Sequence, residues 1–128
     1  MNDGWKEIDR YLEHRGLRVG QPTLGRTTGG RHASGPGHYS FHYEGLARDY
    51  SVFDSDASMI ARKLEFIASD PNGPIAELFY APLDIWYKDG QHLKSGAMRG
   101  RAKSPFTLGV GGHQDHCHVA LKRFRRLF

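Results

Sequence analysis

Apolar residues recur at helical spacing near the N-terminus. Trp5, Ile8 and Leu12 stand three or four positions apart, as on the buried face of an amphipathic helix. Asp3 is the predicted N-cap, because its side chain can accept a hydrogen bond from the free N–H groups of a first helical turn. The pattern predicts a helix from Asp3 to about Arg15.

A second amphipathic pattern lies between residues 56 and 69. Asp56 stands at the expected N-cap, and the segment 70–74 contains two prolines and a glycine, which do not continue a helix. We therefore expect this helix to end at about Ser69. Its apolar face comprises Met59, Ile60, Leu64 and Ile67.

Other segments have the composition of strands. The segment 39–53 alternates aromatic and small residues with polar ones, which favours short strands and a tight turn at Gly45. The segment 75–80 is typical of a buried strand, and a final strand is predicted at 116–121.

The strongest hairpin signal is Asp89-Gly90, which separates the segments 85–88 and 91–94. Two glycine-rich segments, 17–37 and 95–112, show no period and are predicted to be loops. Two or three helices and short strands joined by turns predict one α+β domain covering the whole chain, with a small, mostly antiparallel sheet.

Charge is concentrated at the C-terminus. The chain of 128 residues has a formal net charge of +4, and its sequence pI is about 9.4. The tail 122–128 carries Lys122, Arg123, Arg125 and Arg126, a pattern that suits contact with nucleic acid, an anionic membrane or an anionic cell-wall polymer. A solvated tail that only raises solubility is the alternative interpretation.

The chain shows neither a secretion signal nor a disulfide framework. No apolar run reaches the ~20 residues that cross a bilayer, and residues 1–5 lack the basic and apolar regions of a signal peptide. Cys117 is the single cysteine. We expect a monomer made in the cytoplasm, which something other than an ordinary signal would have to deliver to any site outside it.

Histidines cluster in two distant windows of the sequence. One window contains His32, His38 and His42 and is followed by Asp49; the other contains His113, His116 and His118 and includes Asp115. Imidazole and carboxylate groups are the ordinary ligands of catalytic zinc, which takes three protein groups and leaves one position for water. The two windows together therefore predict a shared metal site.

The predicted last strand orients the second window. His116 and His118 are two residues apart, so their side chains point to the same face of a strand. Cys117 then points to the other face, where we expect a small buried hydrophobic residue that is not a ligand.

The first window matches a family motif. Ser40, His42, Gly45, Ala47 and Asp49 fit the pattern S-x-H-x-x-G-x-A-x-D. This resembles the zinc peptidases that include D-alanyl-D-alanine carboxypeptidases and phage endolysins cutting L-alanyl-D-glutamate bonds. These peptidases share their metal-site architecture with lysostaphin-type peptidases and hedgehog domains. Their later element, an acidic residue three positions before a histidine, is matched by Asp115 and His118.

The resemblance implies a role for each matched residue. His42, Asp49 and His118 would bind Zn²⁺, and Asp115 would be the general base acting on the metal-activated water. His116 would lie beside the site as a further catalytic group. The substrate or oxyanion contacts would come from Ser40 and from Arg26 or Arg31, between which the sequence does not choose.

The implied function is hydrolysis of peptide bonds in the peptidoglycan stem, as in a phage endolysin or a cell-wall-remodelling enzyme. One alternative is a metal-dependent nuclease or nucleic-acid-binding module, which the basic composition suggests; we expect no nucleic acid partner, because no HNH-like spacing is present. The other alternative is a hedgehog-like zinc domain without catalysis. Asp115 argues against it, because a purely structural site needs no base.

Overall fold

A computed structural model of the chain describes residues 4–22, 45–92 and 115–122. These residues form two α-helices and a five-stranded antiparallel open sheet, so the fold is α+β. The elements in chain order are α1 (Trp5–His14), β1 (Ala47–Ser51), α2 (Ala57–Ala68), β2 (Ile75–Tyr80), a 3-10 turn (Ala81–Leu83), β3 (Ile85–Lys88), β4 (Gln91–His92) and β5 (His116–Leu121).

The strand order of the sheet is β1-β5-β2-β3-β4, with every neighbouring pair antiparallel. The last strand of the sequence therefore lies between the first strand and β2. This order places Asp49 of β1 beside His116 and His118 of β5.

The helices cover one face of the sheet. The main core joins the apolar face of α1 and α2 to alternate residues of the three central strands, including Leu78, Val119 and Ile85. Burial of this apolar surface is the main favourable term for the fold. Cys117 is fully buried on this side, which confirms its predicted orientation.

Arg48 fastens the edge strand β1 to the segment that follows α1. Its side chain is fully buried and pairs with Asp9 of α1, while Nη2 donates to the carbonyl oxygens of Val19, Gly20 and Gln21. A buried charge is tolerated only when it is paired and hydrogen-bonded. The arginine therefore fixes β1 from the helix side, next to the predicted ligand Asp49.

Most predicted element bounds are confirmed. The strands 75–80 and 116–121 have the predicted limits, and α2 follows Asp56 as predicted. Asp89 and Gly90 both have positive φ, 51° and 85°, as the predicted two-residue turn requires. The second strand of the hairpin begins at Gln91 as predicted, and the structure describes it as far as His92.

Helix capping differs from the prediction. The N-cap of α1 is Gly4 and not Asp3, and it makes no side-chain cap hydrogen bond. Asp56 occupies the N-cap position of α2, but its carboxylate accepts a hydrogen bond from the backbone N–H of Arg18 at 2.8 Å instead of capping its own helix. A long-range contact thus replaces the local one.

Several predictions fall outside the described residues. They concern the loop segments 23–37 and 95–112, the strand ends 39–44 and 93–94, and the tail beyond Lys122. In the parts of the chain that the structure describes, no helix has the length and apolar character to cross a membrane.

The β3–β4 turn provides a stability test. A Cβ atom at Gly90 would lie 2.3 Å from Cα of Pro71, whereas Gly16 has a similar φ of +80° and no atom within 4 Å of its added Cβ. We expect Gly90→Ala to lower the free energy of unfolding by at least about 1 kcal/mol more than Gly16→Ala, because only the first adds overpacking to backbone strain. Urea denaturation of both variants measures this, and equal losses would contradict it.

Candidate functional site

The face of the sheet opposite the helices carries a row of side chains in direct register. Asp49 of β1 is paired with His118 of β5, His118 with Phe79 of β2, and Phe79 with Trp86 of β3. Residues in register across antiparallel strands point to the same face, so these four side chains form one row. The site lies where two predicted ligands, Asp49 and His118, meet in this row.

His118 is held at both ring nitrogens. Its Nδ1 lies 3.1 Å from Oδ1 of Asp49, and its Nε2 lies 2.8 Å from Oε1 of Glu77. The ring also stacks on Phe79, with centroids 5.3 Å apart and planes inclined by 15°. His118 is 6% exposed, so these contacts define the orientation of its ring in a buried environment.

The two carboxylates control the protonation of His118. Burial by itself lowers the pKa of this imidazole, but the hydrogen bonds to Asp49 and Glu77 and the charges of both carboxylates outweigh it and raise the pKa to about 9. In the metal-free protein at neutral pH, His118 is therefore a cation that donates from both ring nitrogens.

Glu77 is the complementary anion. Burial alone raises the pKa of this carboxyl, but the hydrogen bond and charge of His118, together with Lys88, outweigh it and lower the pKa to about 2. Nζ of Lys88 donates to Oε2 at 2.7 Å, while Oε1 accepts from His118. Glu77 is therefore an ionised carboxylate whose two oxygens both accept hydrogen bonds.

His116 links the site to the rim of the sheet. Its Nδ1 lies 2.7 Å from Oδ1 of Asp115, and its Nε2 lies 3.9 Å from Oδ2 of Asp49. The side chain of Asp115 is 65% exposed, and its backbone carbonyl accepts from the N–H of Val52 at 3.0 Å. Carboxylates and imidazoles thus alternate from the solvent-exposed Asp115 to the buried Glu77.

The structure brings together four of the eight predicted site residues: Asp49, Asp115, His116 and His118. The predicted ligand His42 and the predicted contact residues Ser40, Arg26 and Arg31 lie outside the described residues. Glu77 was not predicted as a site residue; its signal in the sequence is an isolated carboxylate within an otherwise apolar strand.

The described donors suit a zinc ligand set in part. Within the part of the chain that the structure describes, no three histidine, cysteine or carboxylate side chains form a group that could hold a metal ion. Asp49 and His118 nevertheless place a carboxylate oxygen and an imidazole nitrogen side by side. The other ring nitrogen of His118, Nε2, is hydrogen-bonded to the carboxylate of Glu77. Histidines that bind metals commonly have this second partner. Both residues therefore fit a zinc site that a third ligand would complete.

Comparison with known proteins names no family for this chain. No protein-family model matches it, and neither the curated proteins nor the solved structures give a significant match.

The paired His118 predicts a pH-dependent stability. Because its folded pKa of about 9 exceeds the ordinary value of 6.5, its stabilising contribution is complete below pH 6.5 and is lost as the pH rises through 9. The free energy of unfolding of chelator-treated protein should fall over this window by an amount on the order of 3 kcal/mol. Denaturant titrations at each pH measure it.

His118→Gln should remove this part of the slope, whereas the exposed His14→Gln should keep it. A wild-type stability that stays constant from pH 6.5 to 9, or a His118→Gln variant with the full wild-type slope, would contradict the assigned pairing.

Proposed function

We propose that the chain is a zinc-dependent peptidase that hydrolyses peptide bonds in the peptidoglycan stem, of the phage endolysin or cell-wall-remodelling type. The observation that carries the proposal is the contact between Asp49 and His118, whose side chains are 69 positions apart in sequence and 3.1 Å apart in space. Asp49 ends the motif that resembles the family, and His118 ends its later element.

The proposed ligands are His42, Asp49 and His118. The ligand atoms of the last two follow from their contacts: Nε2 of His118 is occupied by Glu77, so Nδ1 is the nitrogen available beside the Asp49 carboxylate. In the metal-free protein Nδ1 carries a proton, and a cation would replace this proton when it binds. Two imidazoles and one carboxylate leave a coordination position for water.

Asp115 is the proposed general base. Bound zinc would lower the pKa of a water molecule and polarise the scissile carbonyl group. The exposed carboxylate of Asp115 can reach solvent, would accept the proton of the attacking water and would then donate it to the leaving amine. His116, hydrogen-bonded to Asp115, would orient this carboxylate.

The architecture supports the same proposal. The described helices lie on one face of the antiparallel sheet, and Asp49, His118 and Glu77 lie together on the other. From this arrangement we propose a hedgehog- or D-alanyl-D-alanine-peptidase-like fold. The basic tail that starts at Lys122 would contact anionic wall polymer or membrane, and delivery to the wall would be by a holin or phage apparatus.

Three aspartate-to-asparagine substitutions separate metal binding from catalysis. Asp49→Asn should lower zinc affinity and activity together, because an amide is a weaker ligand than a carboxylate. Asp115→Asn should keep zinc while activity falls by about 10²–10⁴-fold, the usual contribution of a general base. Asp89→Asn, in the exposed β3–β4 turn, should change neither.

The measurements are zinc content after dialysis and the release of new amines from purified peptidoglycan, with fragments identified by mass spectrometry. Wild-type protein that binds zinc without releasing amines would contradict the peptidase proposal and favour a binding domain. Zinc-dependent cleavage of plasmid DNA in place of peptidoglycan would favour the nuclease alternative.

A further inference from the structure

Glu77 is a buried carboxylate in the middle of the central strand β2. It is 7% exposed, and taking a carboxylate out of water is unfavourable unless opposite charges and hydrogen bonds compensate for the lost hydration. Both oxygens have such partners, since Oε1 accepts from His118 and Oε2 accepts from Lys88. The residue is therefore stabilised by contacts that belong to the candidate site.

The contacts of His118 fix which ring nitrogen faces Asp49. A rotation of the ring by 180° about its Cβ–Cγ bond would place carbon atoms opposite both carboxylates, and both hydrogen bonds would be lost. The stacked ring of Phe79, 5.3 Å away, restricts intermediate orientations. With Nε2 held by Glu77, the ring is locked with Nδ1 towards Asp49.

Lys88 holds Glu77 in turn. The two residues stand directly opposite each other in the β2–β3 pairing, and Nζ of Lys88 lies 2.7 Å from Oε2. This salt bridge occupies the oxygen that His118 does not use. The ammonium group also offsets the negative charge that would remain on Glu77 if His118 lost its Nδ1 proton to become a ligand.

We propose that Glu77, held in place by Lys88, is a positioning residue of the metal site: it fixes His118 through Nε2–H so that Nδ1 is presented to the metal beside Asp49. The inference rests on the proposed zinc site and extends it by two residues outside the family-like motif. Glu77 acts through His118 and does not touch the metal or the substrate.

The test compares zinc affinities of folded variants by competition with a chromophoric chelator. Glu77→Leu removes the acceptor and should weaken zinc binding about 10–100-fold, as expected for loss of such an outer partner. Glu77→Gln keeps an acceptor oxygen and should lose less than 10-fold, which is the partial rescue that a positioning role predicts. Lys88→Met should lose only a few-fold, because Glu77 still accepts from His118.

Leu78→Ala is the control for destabilisation. Leu78 neighbours Glu77 on β2, but its side chain points into the helix-side core, away from His118. The substitution should therefore lower the free energy of unfolding by about 2–5 kcal/mol and leave the contacts of His118 in place. Its zinc affinity should equal that of the wild type at a temperature where both are folded. An equal loss of affinity in Leu78→Ala and Glu77→Leu, or an unchanged affinity in Glu77→Leu, would overturn the proposal.

A second readout does not need metal. In long-range ¹H–¹⁵N spectra of metal-free wild type, the Nε2 proton of His118 should be slowly exchanging and shifted downfield, and Glu77→Leu should remove this signal. Absence of the signal in wild type, or wild-type protein without zinc affinity, overturns the positioning role. Zinc binding that depends on Glu77 but is accompanied by no peptidoglycan hydrolysis defeats the peptidase proposal alone.

Discussion

The imidazole of His118 lies between two carboxylates that come from the strands on either side of it, and the rest of the site depends on this arrangement. Asp49 of β1 contacts Nδ1 and Glu77 of β2 contacts Nε2, so one ring connects three adjacent strands. Three ionisable groups buried together are tolerated because each compensates the charge of its neighbour. In the proposed zinc site, the same arrangement would also present an oxygen and a nitrogen donor to the cation.

The sheet separates this chemistry from the core. Arg48 and Asp49 are consecutive in β1, and their side chains point to opposite faces: the arginine is fixed among carbonyl groups on the helix side, and the aspartate faces His118. Because β5 is the single neighbour of β1 among the strands that the structure describes, the Arg48 contacts add anchoring that the pairing with β5 alone does not give. We infer that the helix-side network keeps Asp49 at a fixed distance from His118.

Local patterns predicted the strands at 75–80 and 116–121 and the Asp89-Gly90 turn, because side-chain alternation and turn chemistry are encoded by neighbouring residues. The meeting of Asp49 and His118 was predicted through the family-like motif. The contact between Glu77 and His118 was missed, because it depends on β5 lying beside β2, and no local pattern encodes that strand order. The Asp3 cap was wrong for a related reason: the N-cap is Gly4, and the backbone N–H of Trp5 donates to the carbonyl oxygen of Gly45, which is distant in sequence.

The proposed metal site is tested most directly by a zinc K-edge anomalous diffraction map from crystals of the zinc-loaded protein. We expect one peak bonded to Nδ1 of His118 and to a carboxylate oxygen of Asp49, each at about 2.0–2.2 Å, with His42 as the third protein ligand. Zinc bound through Nε2 of His118, zinc at another position, or side chains of Asp49 and His118 that share no ion would contradict it.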